Sequence, residues 1–216
     1  MLTQDSACYV IQEIIKLYPD VETILEYDTP FQLLIAVMLS AQTTDIAVNK
    51  VTRKLFKDYP TALDLSKATP KEIEPYLKSI GLFRNKSKFI VECSLQIMSD
   101  FDGVVPKERK ELESLSGVGR KTANVVMSIA FDIPAFAVDT HVSRVCKHHE
   151  IVPENATVRQ IEDYIVSILP AEDLTQAHQS IIYFGRNVCH PRNPICHQYP
   201  QLYQNLEYMD NQNFYA

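Results

Sequence analysis

Apolar residues recur along this chain at intervals of three and four, the period of a helix, and almost nowhere at the strict alternation of a strand. Val10, Ile11, Ile14, Ile15 and Leu17 form one such stripe. Thr29 followed by Pro30 reads as an N-cap and a first helical residue, opening the run Phe-Gln-Leu-Leu-Ile-Ala-Val-Met-Leu-Ser-Ala-Gln. That run is apolar nearly all round, which predicts a central buried helix. A second helix is expected from Thr44 or Asp45 to Lys57, ended by Tyr59-Pro60. Shorter ones fit 61–67 and 70–78, the latter capped by Thr69, and a longer one fits 85–101, stopping before Asp102-Gly103. Five more fit 107–115, 120–131, 139–149, 157–168 and 174–187. The fold class this predicts is all-α.

Composition narrows the picture. The chain has 216 residues, 46% hydrophobic and 22% charged, enough for a real core in one or two domains. The longest apolar stretch, Leu33 to Leu39, is far short of the roughly 20 residues of a membrane span. No membrane partner is expected. The opening Met-Leu-Thr-Gln-Asp-Ser lacks the basic segment and apolar run of a secretory signal, so the expected location is the cytoplasm. Five scattered cysteines do not make a disulfide framework there. The net charge of −6 argues mildly against nucleic acid until its distribution is read. Residues 1–30 set six acids against the single base Lys16, and 193–216 hold Glu207 and Asp210 with no base. The acidity sits at the two ends, and the middle is near neutral.

Only five glycines occur, so each position carries information. Gly103 and Gly185 fall near predicted helix ends, where left-handed caps are expected. Gly117 and Gly119 bracket Val118 between two predicted helices, a tight turn whose backbone can come close to a ligand. The helix that follows offers its unbonded N–H groups and positive dipole end, a seat for phosphate. The spacing matches neither a dinucleotide fingerprint nor a P-loop. Lys121 comes next to Arg120 at that helix start, where neighbouring positive charge favours a nucleophilic free amine. Eighteen residues on, Asp139 opens another helix as its N-cap. Glycine turn, lysine and capped aspartate together point to chemistry on a phosphate-bearing substrate.

Leu39-Ser40-Ala41-Gln42-Thr43-Thr44-Asp45, Ser79-Ile80-Gly81-Leu82, Gly117-Val118-Gly119-Arg120-Lys121-Thr122-Ala123-Asn124 and Val138-Asp139-Thr140-His141 occur here in that order. With them the chain, from about residue 5 to 198, resembles the endonuclease III family of helix–hairpin–helix DNA glycosylases with AP lyase activity. The resemblance implies two lobes: a six-helix barrel over 24–133 carrying the hairpin, and a second helical domain from 1–23 plus 134–216. It implies removal of oxidised pyrimidines from double-stranded DNA, by a monomer, followed by cleavage 3′ to the abasic site through a lysine Schiff base. Lys121 and Asp139 take the catalytic positions. Gln42, Ile80, Leu82, Gly117, Val118, Gly119, Arg120, His141, Arg144 and Arg192 take DNA-contacting ones. Gln42 would fill the gap left by a flipped nucleotide and Ile80 with Leu82 would form a wedge. Asp45 and Glu113 would support the site. Arg84, Lys86, Lys88, Lys147 and Arg186 are further candidates for backbone phosphates. The hairpin would also offer a seat to a monovalent cation. Rival readings are an abasic-site lyase with weak glycosylase activity or another lesion preference, a monofunctional glycosylase, and a non-catalytic DNA-binding module.

The pattern breaks at the end of the chain. The family holds a [4Fe-4S] cluster with Cys-x6-Cys-x2-Cys-x5-Cys. Cys189 and Cys196 match the first two ligands, but Tyr199 and Asn205 stand at the others. The expectation is no cluster and no other cofactor, with both cysteines as remnants. Tyr199, Leu202, Tyr203, Leu206 and Tyr208 would fill the vacated space. Cys189-His190 and Cys196-His197 raise the rival of a zinc set. Ser116 replaces the proline usual before the first hairpin glycine, which is expected to loosen the turn slightly. Arg192 is the only fixed charge in the loop between the two cysteines, which predicts a shallow salt dependence of DNA binding.

Overall fold

The computed structural model describes residues 1–204. Helices and turns make up all of its regular structure among the described residues, with no strand. The chain divides into two compact units, Ile24–Ile133 and Met1–Thr23 together with the described chain from Pro134 onward.

The first unit carries seven helices: α2 (Pro30–Leu39), α3 (Asp45–Asp58), α4 (Ala62–Ser66), α5 (Pro70–Leu77), α6 (Phe83–Asp100), α7 (Arg109–Ser114) and α8 (Arg120–Ala130). Threonine opens four of them. The hydroxyls of Thr29, Thr44 and Thr61 accept the N–H of the residue three positions on, and Thr69 forms a capping box with Glu72. Every residue of α2 from Phe31 to Leu39 is buried, and the helix packs against α8, α3 and α6. Burying each large aliphatic of that run is worth about 1.5–3 kcal/mol, so α2 is the unit's centre of cohesion.

The α7–turn–α8 hairpin is fixed on both sides. Leu112, Leu115 and Val118 point into the core. Arg109 donates to the Asn124 amide oxygen across the two helices at 3.0 Å. Gly117 has φ +77°, and a Cβ there would lie 2.8 Å from that of Phe89 on α6. Gly119 has φ −99° and open space where its Cβ would be. Ser116 is tied into the turn by two hydrogen bonds. Its N–H donates to Gln96 at 2.6 Å and its hydroxyl to Glu92 at 2.7 Å. A proline has no N–H and no hydroxyl with which to make either bond.

The second unit joins the N-terminal helix α1 (Gln4–Leu17) to α9 (Thr140–His148), α10 (Val158–Ile168) and α11 (Leu174–Asn187). Ala7, Val10, Ile11 and Ile14 of α1 enter one core with Val142, Val145, Ile161, Ile165, Ile181 and Phe184. Polar contacts fix the register. Gln12 donates to Asp173 at 2.7 Å, and Gln176 and Ser180 both donate to the Tyr18 carbonyl. Gly185 lies inside α11 and is not a left-handed cap. It is a contact point, since a Cβ there would come 3.1 Å from the Cβ of His141 on α9. Gly103 does take the left-handed backbone, at φ +80°, just past α6.

The two hairpin glycines therefore differ in what they can tolerate. Gly117→Ala is expected to cost about 1–3 kcal/mol, because it combines a left-handed backbone with a clash against Phe89. Gly119→Ala should leave the urea unfolding midpoint nearly unchanged. Equal midpoints for the two variants would contradict this account of the turn.

Candidate active site

Lys121 is the second residue of α8, directly after the Gly117–Gly119 turn, and its side chain is exposed. Gly119 is the N-cap of α8, so the first turn lacks an earlier turn to bond to and its dipole end opens at the hairpin. Arg120 pairs with Glu113 at 3.7 Å, with side chains 33% and 35% exposed, which ties the start of α8 to α7. Val118 is 6% exposed, so the turn can meet a ligand with its backbone but not with that side chain.

Among the non-glycine residues of the same unit with left-handed backbones, two lie in motif loops. Gln42 has φ 55° and is exposed, and Leu82 has φ 57° with 55% exposure. Non-glycine residues in this region are held there by their surroundings, often where function needs the side chain presented. Ile80 turns the other way. At 4% exposure it belongs to the core, so of the expected wedge pair only Leu82 offers a side chain to solvent. Asp45 begins α3. Lys86, a candidate for phosphate contact by sequence, is 6% exposed and donates to the Thr43 hydroxyl at 2.7 Å, beside Gln42. Burial pushes its ammonium pKa down. It is a strut under the Gln42 loop, which charge alone could not distinguish from a surface lysine.

In the second unit, Asp139 caps α9 and accepts the Val142 N–H at 2.8 Å. An open groove of about 590 Å³ beside it is lined by Thr140, Ser143, Arg144, Lys147 and His148. Spaced three and four apart, these residues share one helix face. Arg144 is largely committed to the fold: it donates to the Cys189 carbonyl at 2.9 Å and the Gly185 carbonyl at 2.7 Å. Its guanidinium also lies 3.1 Å from His141 Nδ1, which must then accept. Burial holds the His141 pKa below its ordinary value, with Arg144 and Arg186 adding to this against the pull of Asp139. Arg192 is exposed on the loop between Cys189 and Cys196.

Near that loop the structure gathers a group that sequence spacing concealed. One donor atom each from His148, His149, Cys189 and Cys196 lie within 4.8 Å of one another. The imidazoles come from the end of α9, not from His190 and His197, which are exposed. Sequence adjacency suggested the wrong pair, although His148-His149 at a helix end was itself a visible signal. Burial is the main cause holding the His149 pKa down, to about 4, and pushing the Cys196 thiol up, to about 12. This donor set differs from the four-thiolate cage of a [4Fe-4S] cluster. Tyr199 packs edge-on against Phe184, while Leu202 is fully buried in the same core. Asn205, Leu206 and Tyr208 lie outside the described residues.

These geometries have close counterparts. Residues 35–171 match the HhH-GPD superfamily of base excision DNA repair proteins. The chain is 43% identical to endonuclease III of Bacillus subtilis, over 94% of its own length and 92% of the relative's. It is 46% identical to endonuclease III of Synechocystis, over 84% and 83%. A solved structure of a trapped endonuclease III–DNA covalent intermediate, an estranged-adenine complex, superposes with a TM-score of 0.90 at 42% identity, covering 97% of this chain and all of that one. A thermostable thymine-DNA glycosylase shares the fold, with a TM-score of 0.80 at 24% identity. The chain therefore belongs to the endonuclease III family of HhH-GPD base excision repair proteins and is a DNA glycosylase/AP lyase.

Proposed function

We propose that the chain binds double-stranded DNA as a monomer in the bacterial cytoplasm and excises oxidised pyrimidines, with Lys121 as nucleophile and Asp139 as its acidic partner. The carrying observation is an exposed lysine directly behind a glycine hairpin, in a chain 42% identical to a protein trapped as a covalent DNA intermediate. A base inside the stack hides its sugar carbon, so the nucleotide must first swing out. Leu82, apolar and held outward, suits the wedge that parts the base pairs, and Gln42 suits the gap. The hairpin N–H groups and the positive end of α8 grip a phosphate nearby. A monovalent cation in the hairpin would act on the same phosphate.

The free amine of Lys121 attacks C1′. The C1′–N bond breaks, and the damaged base leaves with the electron pair and a proton. Asp139 stabilises the positive charge that develops on the sugar. The sugar ring then opens as the C1′–O4′ bond breaks, O4′ takes a proton, and C1′ becomes an imine on the lysine. That imine acidifies C2′. Loss of a C2′ proton expels the 3′ phosphate, and water then releases the lysine. No step passes through an iron–sulfur cluster, and we read Cys189 and Cys196 as having lost it.

Borohydride reduction of the imine should trap wild-type protein on duplexes bearing thymine glycol or an abasic site, and should trap no Lys121→Ala protein. Trapping that survives the substitution sinks the mechanism, and binding without trapping by the wild type favours the non-catalytic module. A duplex bearing an oxidised purine should trap more slowly than the thymine glycol one.

Leu82→Ala should lower kcat/KM for thymine glycol roughly tenfold or more, through lost unstacking assistance, with the unfolding midpoint unchanged. Ile80→Ala should instead destabilise the fold by about 2–5 kcal/mol. Arg192→Ala should flatten the slope of log affinity against log salt by about 1, and an unchanged slope would remove Arg192 from the DNA contacts.

A further inference from the structure

The geometry points to a single tetrahedral zinc ion held by Cys189, Cys196, His149 and His148, standing where the family carries its four-iron cluster. Zinc bonds thiolate sulfur at about 2.3 Å and imidazole nitrogen at about 2.0–2.1 Å, so two ligands of one tetrahedral ion lie roughly 3.3–3.8 Å apart. Four donor atoms within 4.8 Å of one another surround a common point, and an ion would draw the widest pairs together by about 1 Å.

A second observation is independent of the distances. His149 is 2% exposed, and its Nε2 is a buried polar atom without a hydrogen-bond partner among the described residues. Leaving such an atom unsatisfied costs about 1–3 kcal/mol. Its other ring nitrogen, Nδ1, is engaged by the Tyr203 hydroxyl at 2.6 Å, and the two rings stack with an interplanar angle of 13°. A fixed ring with one nitrogen held by an oxygen and the other vacant is how a metal-bound histidine is oriented.

The supporting contacts favour the same occupant. Two thiolates and two imidazoles suit zinc in charge and softness, and the loaded site is neutral, as a buried site needs to be. Arg144 steadies the Cys189 backbone through its carbonyl. The Ile195 N–H closes the intervening loop onto the Val188 carbonyl at 3.0 Å, bringing Cys196 back beside Cys189. An ion here would staple the end of α9 to the loop that bears Arg192.

The test is metal analysis of the untagged full chain, purified in reductant, with cobalt(II) substitution as a spectroscopic probe. Expected are about one zinc per chain, and a cobalt form with the intense visible bands of a tetrahedral site and a thiolate charge-transfer band. Tyr203→Phe keeps the ring and removes the hydrogen bond to His149, and should weaken zinc affinity about 10–100-fold. His149→Gln should abolish retention. His148→Ala should weaken it with the fold intact, since that residue is exposed. His190→Ala and His197→Ala should retain full affinity. About four irons per chain, a Cys189–Cys196 disulfide in place of bound metal, no metal at all, or full retention in His149→Gln would each overturn the proposal. If His149→Gln does not fold, an octahedral cobalt spectrum without the thiolate band in wild-type protein overturns it equally. None of these readouts depends on glycosylase activity.

Discussion

The hairpin depends most on the absence of a side chain at residue 117. Gly117 adopts φ +77° with the Phe89 Cβ 2.8 Å from where its own would be, and with Met38 close on the other side. That contact brings α6, the buried α2 and the turn together at one point. Everything the hairpin presents follows from it: the inward Val118, the open backbone at Gly119, and the start of α8 with Lys121 behind it. The Ser116 bonds to Gln96 and Glu92 secure the same turn from the α6 side. Lys121, the proposed nucleophile, thus stands directly behind a constrained turn, in keeping with the need to hold a nucleophile in a fixed geometry.

Charge is handled by position and not by quantity. A chain of net charge −6 can act on DNA because its excess of acid lies at the two ends, which hold almost no bases, while the hairpin, the Leu82 loop and the basic face of α9 lie in the near-neutral middle. Within that middle, burial sorts the cations further. Lys86 and Arg144 spend their donors on Thr43 and on two backbone carbonyls, while Arg192 and Lys121 remain exposed. Counting bases in the sequence overstates the number that can reach a phosphate.

The end of the chain carries a mixed cysteine and histidine donor set. Cys189 and Cys196 retain their places, and His148 and His149 approach them from a helix that ends some forty residues earlier. Tyr203 holds one side of His149, and Phe184 contacts its ring edge. Aromatic packing and the Cys/His group occupy the same corner of the core together.

The sequence by itself determined the helices, because their spacing and threonine caps are local properties. Thr29-Pro30 and Thr69-Pro70 announced the starts of α2 and α5. It also determined the family, since the motif around Lys121 and that around Asp139 are continuous in the chain. The tertiary structure alone decided which side chains are inside. Ile80 and Leu82 flank one glycine and look alike in sequence, yet one is core and the other is exposed. Gly185 looked like a cap and is a helix contact. His190 and His197 neighbour the cysteines in sequence, yet His148 and His149 neighbour them in space. Local order is written in spacing of a few residues, whereas burial and donor convergence depend on packing between segments far apart in the chain, which no short pattern encodes.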